Sequence, residues 1–219
     1  KTLNHPFLLN LERIEIVDGQ LMIVSEMADM SLKEKYSICR QSGQAGIPRD
    51  ELIEYLGEAA EALDYLQEIC SFQHLDVKPE NILLVGRHVK VADFGLLKDL
   101  NDLTSPIAGG MTPKYAAPEV FDGQPSRQSD QYSLALVYYE LATGEFPFHG
   151  HNPAALASQH LHCEPRLDRL AAAERFAVRK ALSKDPSRRF DSCSELVTRL
   201  RCRAAASVFT GDAEISSCP

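Results

Sequence analysis

A short polar segment in the middle of the chain carries the side chains best suited to chemistry. It reads His74-Leu75-Asp76-Val77-Lys78-Pro79-Glu80-Asn81, and another acid, Asp93, follows twelve residues beyond Asn81. Asp76 offers a carboxylate that can accept a proton, and Lys78 adds a positive charge, while the carboxylate of Asp93 and the amide oxygen of Asn81 are hard ligands of the kind that Mg²⁺ prefers. Together these four side chains can accept a proton, neutralise negative charge and hold a divalent cation.

The sequence on both sides of this segment indicates the elements that position it. Pro48 and the two acids that follow it predict the first turn of a long helix, where acids suit the helix dipole. The apolar positions of that helix repeat every three to four residues, at Leu52, Leu56, Ala59, Leu63 and Leu66. Two apolar runs, Ile82–Val85 and Val89–Ala92, predict a β-hairpin directly after the polar segment.

The start of the chain predicts a small amount of β structure. Two apolar segments, Phe7–Ile16 and Gln20–Ser25, are separated by Asp18-Gly19, a pair that is a strong hairpin signal. A short helix is predicted next from the helical spacing of Leu32, Tyr36 and Cys39. The order is therefore a little β structure followed by a long helical region.

Helical periodicity dominates the second half. Residues 127–142 are apolar on nearly all sides, which is typical of a helix buried in the core. Further helices are predicted near residues 153–162, 171–183 and 192–203. Residues 93–119 lack periodicity, and a structureless segment of this length inside a compact domain is usually functional.

Two more short motifs complete a pattern. Asp93-Phe94-Gly95 and Ala117-Pro118-Glu119 are each common by chance, but their order and spacing after the polar segment are specific. The sequence therefore resembles the protein kinase family over about residues 1–203. The resemblance implies an α+β fold, with a mostly helical C-terminal lobe, a short β-hairpin and part of the small-lobe strands.

The resemblance also implies domain boundaries. Residues 1–25 match the end of the small lobe, 26–30 the hinge, 31–203 the C-terminal lobe and 204–219 a flexible tail. The Gly-rich loop, the strand lysine and its glutamate partner would all precede Lys1. We therefore expect weak ATP binding and little phosphate transfer by this segment alone, and an exposed apolar edge where further strands would pair.

The catalytic roles follow from the resemblance. Asp76 matches the carboxylate that orients the incoming hydroxyl and takes its proton, and Lys78 matches the cation that neutralises the γ-phosphate of ATP. Asn81 and Asp93 match the Mg²⁺ ligands. Thr112, followed by proline, matches the substrate-positioning threonine. Together with Lys78 in the second position after the catalytic aspartate, it indicates protein serine/threonine substrates, with autophosphorylation among the expected reactions.

Five positions match the adenosine site of the family. Ser25 matches a small gatekeeper, and the backbone groups of Glu26 and Ala28 fall on the hinge that hydrogen-bonds the adenine. Leu83 matches the apolar floor under the adenine, and Asp29 is a weaker candidate for binding the ribose.

Two acids match structural positions of the family. Glu119 is expected to pair with an arginine near the end of the lobe, for which Arg189 matches and Arg188 is the neighbouring alternative. Asp130 matches the buried acid that anchors the backbone of the catalytic loop, and a buried acid needs such partners.

The segment around the catalytic aspartate both follows and departs from the family pattern. His74 is expected to pack against Phe94. Leu75 stands where most kinases have an arginine that clamps a phosphorylated loop, and leucine cannot make those hydrogen bonds. We therefore expect activation to be largely independent of phosphorylation at Thr104 and Ser105.

Other functions fit these motifs less well. A non-catalytic kinase-like scaffold, or pseudokinase, would be indicated by loss of Asp76, Asn81 or Asp93, and all three are present. A small-molecule kinase is disfavoured by the Ala117-Pro118-Glu119 element and by Thr112. The histidines and cysteine at 149, 151, 160, 162 and 163 match no standard zinc spacing, so a metal site there is a minor alternative.

Composition bears on the classes of partner that the chain can bind. The net charge of −8 and pI near 5.4 argue against a nucleic-acid partner. No apolar run reaches the roughly 18 residues that a membrane span requires. The six cysteines include no CxxC pair, which favours reduced thiols. We expect a cytoplasmic domain, whose parent protein is free to carry a membrane tether elsewhere.

Overall fold

The computed structural model describes residues 4–18, 20–93, 98–99 and 112–205, and a small β-hairpin precedes a mainly helical body. The strands are β1 (Leu11–Val17), β2 (Gln20–Ser25), β3 (Met30–Ser31), β4 (Phe72–Gln73), β5 (Ile82–Val85), β6 (His88–Val91) and β7 (Lys98–Asp99). The helices are α1 (Leu32–Gln41), α2 (Arg49–Glu68), α3 (Pro118–Phe121), α4 (Ser129–Thr143), α5 (Pro153–His162), α6 (Ala172–Ala181) and α7 (Cys193–Ala205). This α+β composition confirms the predicted fold class.

The first hairpin lies at the edge of the helical body. Strands β1 and β2 pair antiparallel from Leu11 opposite Ser25 to Val17 opposite Gln20, with Asp18 in the left-handed region at φ 52°. The apolar side chains of this hairpin are largely solvent-exposed, namely Leu11, Ile14, Ile16, Val17, Met22 and Ile23. The hairpin therefore contributes little to the core of the described residues.

Helices α2 and α4 form the centre of the core. Helix α2 begins directly after Pro48, as predicted, and buries one apolar stripe that includes Leu52, Leu56 and Leu63. Helix α4 is buried on nearly every side, and even its acids Asp130 and Glu140 are almost inaccessible. None of the described helices is long and apolar enough to cross a membrane.

A second hairpin, β5 and β6, pairs with β3 to form a three-stranded sheet. Ile82 and Leu84 face the core, whereas Leu83 between them is half-buried on the opposite face and lies across from Lys90. The second strand occupies His88–Val91, one residue earlier than predicted. The shift arises because Val85 pairs with His88 across a tight turn that Gly86 enters at φ 64°.

Helix ends differ from the predictions by one to two residues at most positions, as fraying ends usually do. Gly144, in the left-handed region at φ 76°, ends α4 one residue beyond the predicted limit. Helix α7 continues to Ala205, two residues beyond the predicted boundary of the lobe. Its start is capped by a side chain, since the Glu195 N–H donates to the Ser192 Oγ at 3.0 Å. Residues 206–219 lie outside the described residues.

His160 on α5 is fully buried against α3 and α4. The Tyr132 hydroxyl and the His160 Nδ1 are 2.9 Å apart. The rings of Phe121, Phe146 and Phe148 surround the imidazole, with the Phe148 centroid 4.6 Å away. Burial, together with the nearby Lys184 ammonium, lowers the pKa of His160 from 6.5 to about 4.

The lowered pKa of His160 predicts a specific acid sensitivity. As the pH falls from 6.5 toward 4, the unfolded chain binds a proton at this position before the folded chain does, so stability is lost on acidification. Relative to His160→Gln, the wild-type free energy of unfolding should fall by roughly 2–3 kcal/mol between pH 7 and pH 4. Urea titrations at both pH values measure this difference.

The exposed His151 supplies the matched control for this experiment. His151→Gln should leave the pH dependence of unfolding as it is in the wild-type chain. A wild-type minus His160→Gln difference that did not change with pH would contradict the assignment of a buried neutral imidazole.

Candidate active site

The polar segment is attached to the core by one carboxylate. Asp130, in the first turn of α4, accepts the backbone N–H of His74 at its Oδ2 and that of Leu75 at its Oδ1, both at 2.8 Å. Complete burial raises the pKa of the Asp130 carboxyl group, whereas His74 and the two N–H donors favour its ionised form. The loop can therefore hold Leu75 in the left-handed region, at φ 63°, where leucine is rarely found.

Asp76 lies at the centre of the site and is almost fully buried. Its Oδ2 accepts hydrogen bonds from the Lys78 Nζ at 2.6 Å and from the Asn81 Nδ2 at 3.1 Å. Its Oδ1 is buried, and no described residue donates a hydrogen bond to it. A buried carboxylate oxygen without a donor is costly, so Oδ1 is suited to accept a hydrogen bond from a substrate.

Lys78 and Asn81 extend the site on either side of Asp76. The Lys78 ammonium also donates to the Thr112 Oγ1 at 3.1 Å and so connects the loop with the segment that precedes α3. The Asn81 amide nitrogen donates to the backbone carbonyl of Asp76 at 2.9 Å. Because the amide nitrogen is turned toward Asp76, the amide oxygen is left for another ligand.

Asp93 is placed beside Asn81 by the backbone. The Ala92 N–H donates to the Asn81 carbonyl at 2.9 Å, and the Ala92 carbonyl contacts the His74 Nε2 at 2.9 Å. Asp93 follows with an exposed side chain and a φ of 65°, a conformation that is uncommon outside functional turns. The backbone thus brings residue 93 close to Asn81, and their amide oxygen and carboxylate are both ligand types that Mg²⁺ accepts.

Residues 26–29 form the connection between β2 and β3. The Asp29 N–H donates to the Leu84 carbonyl at 2.8 Å, and the Glu26 N–H donates to the Asn10 carbonyl at 3.1 Å. No described residue forms a hydrogen bond with the carbonyl group of Glu26, or with the N–H or the carbonyl group of Ala28. These backbone groups can form hydrogen bonds with the edge of a planar ligand, which is the role that the family resemblance implies for the hinge.

Glu26 has a role that its sequence position alone did not reveal. Its Oε1 accepts the Asn10 N–H at 2.8 Å and the Lys90 Nζ at 2.6 Å. Burial acts to raise the pKa of Glu26, but the hydrogen bonds from Lys90 and Asn10 outweigh it and lower the pKa below its ordinary value. Ser25, the predicted gatekeeper, is half-buried at the end of β2.

The Asp29 carboxylate has a structural contact that its sequence position did not reveal. Its Oδ2 accepts the Gly86 N–H at 2.7 Å and so caps the turn between β5 and β6. Its assignment to the ribose stays a prediction. Leu83 lies on the face of β5 opposite the core, as an apolar floor for a ligand requires.

Arg189, rather than Arg188, pairs with Glu119. Its Nη1 and Nη2 donate to the two carboxylate oxygens at 2.7 and 2.8 Å, and the Arg189 side chain has no exposed surface. Burial acts to raise the pKa of Glu119, but Arg189 and the Ser129 hydroxyl outweigh it and lower the pKa. The ion pair joins α3 to the segment before α7 across 70 residues of sequence, so no local pattern indicates it.

A second buried acid, Glu140, was not predicted as a site residue. It accepts hydrogen bonds from the Tyr115 hydroxyl at 2.5 Å and from the Lys114 Nζ at 2.8 Å. Burial and this carboxylate raise the pKa of Tyr115. Glu140 therefore fixes the segment that follows Thr112. The signal in the sequence is an acid inside an otherwise apolar helix, which requires polar partners.

Several predicted positions lie outside the described residues, namely Phe94, Thr104 and Ser105. The histidine and cysteine cluster falls on the loop before α5 and on α5 itself, where His160 packs among aromatic rings. Within residues 4–18, 20–93, 98–99 and 112–205, no group of three or more His, Cys, Asp or Glu side chains is arranged to hold a metal ion.

Comparison with known proteins gives consistent matches. The family described as protein kinase domain matches residues 1–208. Serine/threonine-protein kinase PknF of Mycobacterium tuberculosis (strain ATCC 25618 / H37Rv) is 33% identical over an alignment of 226 residues, gaps included, which covers 97% of this chain and 47% of PknF. PknJ of the same strain is 34% identical over 224 residues, which cover 95% of this chain and 36% of PknJ. The chain spans less than half the length of these relatives.

The Glu119–Arg189 pair predicts a large stability effect. Arg189→Met would leave the Glu119 carboxylate buried without its cation, so the free energy of unfolding should fall by about 3–5 kcal/mol. The double variant with Glu119→Gln should recover part of this loss, because no buried charge remains. Thermal and urea unfolding measure both effects.

Arg199 pairs with Glu195 at 3.2 Å on the surface and provides the control. Arg199→Met should cost less than about 0.5 kcal/mol, because exposed pairs contribute little. Equal losses for Arg189→Met and Arg199→Met would show that the buried pair has no special role in the fold.

Proposed function

This chain belongs to the protein kinase family, and from that premise we propose that the protein containing it transfers the γ-phosphate of ATP to serine and threonine hydroxyls of proteins. Its relatives PknF and PknJ are named serine/threonine-protein kinases. The observation that carries the proposal is the Asp76 carboxylate: one oxygen is held by Lys78 and Asn81, and the other is buried and has no donor among the described residues.

In the proposed reaction, Asp76 orients the substrate hydroxyl. The hydroxyl donates a hydrogen bond to the Asp76 Oδ1, and its proton passes to the carboxylate as the oxygen attacks the γ-phosphorus. A new P–O bond forms, and the bond from the γ-phosphorus to the bridging oxygen breaks, so that ADP leaves with that electron pair. Since Asp76 is held on its Oδ2 side by Lys78 and Asn81, its Oδ1 has a fixed direction.

Lys78 and Thr112 complete the proposed site. The Lys78 ammonium is one hydrogen bond from both Asp76 and Thr112, so it can follow the charge that develops on the transferred phosphoryl group. Thr112 holds the segment on which a protein substrate would lie. This arrangement favours a serine or threonine hydroxyl, and the kinase's own hydroxyls are candidate substrates too.

The donor set fits magnesium and ATP. The free Asn81 amide oxygen and the adjacent Asp93 carboxylate are hard ligands that would hold Mg²⁺, which screens the negative charge of the bound phosphates. The carbonyl of Glu26 and the N–H and carbonyl of Ala28, which have no partner among the described residues, would bind the adenine edge, with Leu83 beneath the ring. The nucleotide would therefore be bound by the proposed hinge, residues 26–30, and by the proposed C-terminal lobe, residues 31–203.

Leu75 supports a further element of the proposal. Its side chain is buried in the core rather than directed at a phosphate site. No guanidinium is present at this position to respond to a phosphorylated loop. We therefore propose that activity is largely independent of phosphorylation at Thr104 and Ser105. Loss of most of the activity when both are replaced by alanine in the complete protein would contradict this proposal.

The proposed role of Asp76 predicts the effect of a single substitution. In the complete gene product that contains this chain, Asp76→Asn should lower phosphate transfer to protein substrates by about 10²–10⁴-fold, because asparagine cannot accept the proton. The thermal stability should change little, since asparagine retains the size of the side chain. Transfer from Mg-ATP, with modified residues identified by mass spectrometry, measures the effect.

Asp50, at the exposed start of α2, provides a carboxylate control, and Asp50→Asn should retain full transfer. Loss of transfer in Asp76→Asn alone, with phosphoserine or phosphothreonine as the product, supports the proposal. A wild-type protein that binds ATP but transfers nothing would instead favour a non-catalytic kinase-like scaffold.

A further inference from the structure

The hinge is held at both ends by acids that contact the same β-hairpin. At its start, the Glu26 carboxylate binds the Lys90 ammonium of β6 at 2.6 Å. At its end, the Asp29 carboxylate binds the Gly86 N–H in the turn between β5 and β6 at 2.7 Å. Between them, Met27 is 91% exposed and no described residue forms a hydrogen bond with Ala28. The hinge is thus a short span fixed at two points.

The contact at Glu26 is the stronger and more connected of the two. The same carboxylate oxygen accepts the backbone N–H of Asn10, whose carbonyl accepts the Glu26 N–H in return. The Lys90 and Glu26 side chains are only 19% and 25% exposed. A partly buried ion pair with a second donor is screened less by solvent than an ordinary surface pair. It therefore restrains the peptide group of Glu26 in both rotation and translation.

The register of the sheet places Lys90 beside the expected adenine. Lys90 lies directly across from Leu83, so both side chains occupy the same face of the β5–β6 hairpin. Leu83 is the residue proposed to lie beneath the ring. The carboxylate that Lys90 holds belongs to the residue whose free carbonyl is proposed to bind the adenine edge. Lys90 thus acts on the ligand through another residue and does not touch it.

We propose that Lys90 is a positioning residue for the purine of the bound nucleotide: through the Glu26 carboxylate it fixes the hinge carbonyl that accepts the adenine amino group. This proposal rests on the nucleotide site of the proposed function. Adenine carries an amino donor at the position where guanine carries a carbonyl acceptor. A fixed hinge carbonyl therefore favours adenine over guanine, and a mobile one discriminates less.

Direct binding measurements on the complete gene product test the proposal. Lys90→Met keeps the length of the side chain but removes its charge, and it should raise the dissociation constant of Mg-ATP by about three- to tenfold. The dissociation constant of Mg-tripolyphosphate, which has no base, should stay within about twofold, and that of Mg-GTP should rise less than that of Mg-ATP. Lys90→Arg should restore the wild-type preference for ATP.

The pair of Lys35 and Glu51 provides a matched control. It joins α1 to α2 at 2.8 Å, and its side chains are 28% and 32% exposed, so it resembles the hinge pair in geometry and exposure. Lys35→Met should leave all three dissociation constants unchanged. Hydrogen exchange adds a readout that needs no ligand, because the amides of residues 26–29 should exchange faster in Lys90→Met than in Lys35→Met.

The outcomes separate this proposal from the proposed function. A wild-type protein that binds ATP but transfers no phosphate would overturn the proposed activity, while the binding and exchange data would still decide the role of Lys90. An equal loss of ATP and tripolyphosphate affinity in Lys90→Met, or a loss equal to that in Lys35→Met, would overturn the positioning role. An unchanged ATP-to-GTP preference with unchanged exchange at the hinge would overturn it as well.

Discussion

The candidate active site depends on one buried carboxyl group. Asp130 lies in the first turn of a helix that is buried on nearly every side, and it accepts two consecutive backbone N–H groups of the loop at residues 74–81. A buried carboxyl group needs donors that compensate for the loss of water, and the backbone of His74 and Leu75 provides them. The loop is therefore held by its peptide groups, and its side chains remain available for chemistry.

Three other acids connect segments of the structure by hydrogen bonds in the same way. Glu119, Glu140 and Glu26 each accept hydrogen bonds from a basic side chain and from at least one further donor. Each connects segments that are distant in sequence, and each lies beside a part of the proposed site. Three acids thus set the positions of the segment after Thr112, of α3 and of the hinge, while the apolar core supplies the rigid support.

The sequence predicted local features better than long-range ones. The start of α2 after Pro48, the buried character of α4 and the hairpin at Asp18 follow from patterns within a few residues of each position. The order of the motifs was sufficient to predict the family and to propose Asp76 and Lys78. The shift of β6 by one residue depended on a turn whose conformation the apolar pattern does not encode.

Contacts between distant residues could not be predicted in the same way. Lys90 and Glu26 are 64 residues apart, and neither stands out among the charged residues of the chain. Likewise, nothing in the sequence indicates that the Asp29 carboxylate accepts the backbone N–H of Gly86, 57 residues further along the chain. Such contacts are decided by which donors the tertiary fold brings near, and a single sequence does not specify them.

The anchoring role of Asp130 is tested most directly by the rate of phosphate transfer of Asp130→Asn in the complete gene product, measured beside its affinity for Mg-ATP. Asparagine presents an NH₂ group to one of the two backbone N–H donors, so the loop should lose its anchor. This role predicts that kcat falls by about a hundredfold or more while ATP affinity changes little, because the hinge is fixed independently. An unchanged kcat in a folded Asp130→Asn protein would contradict it.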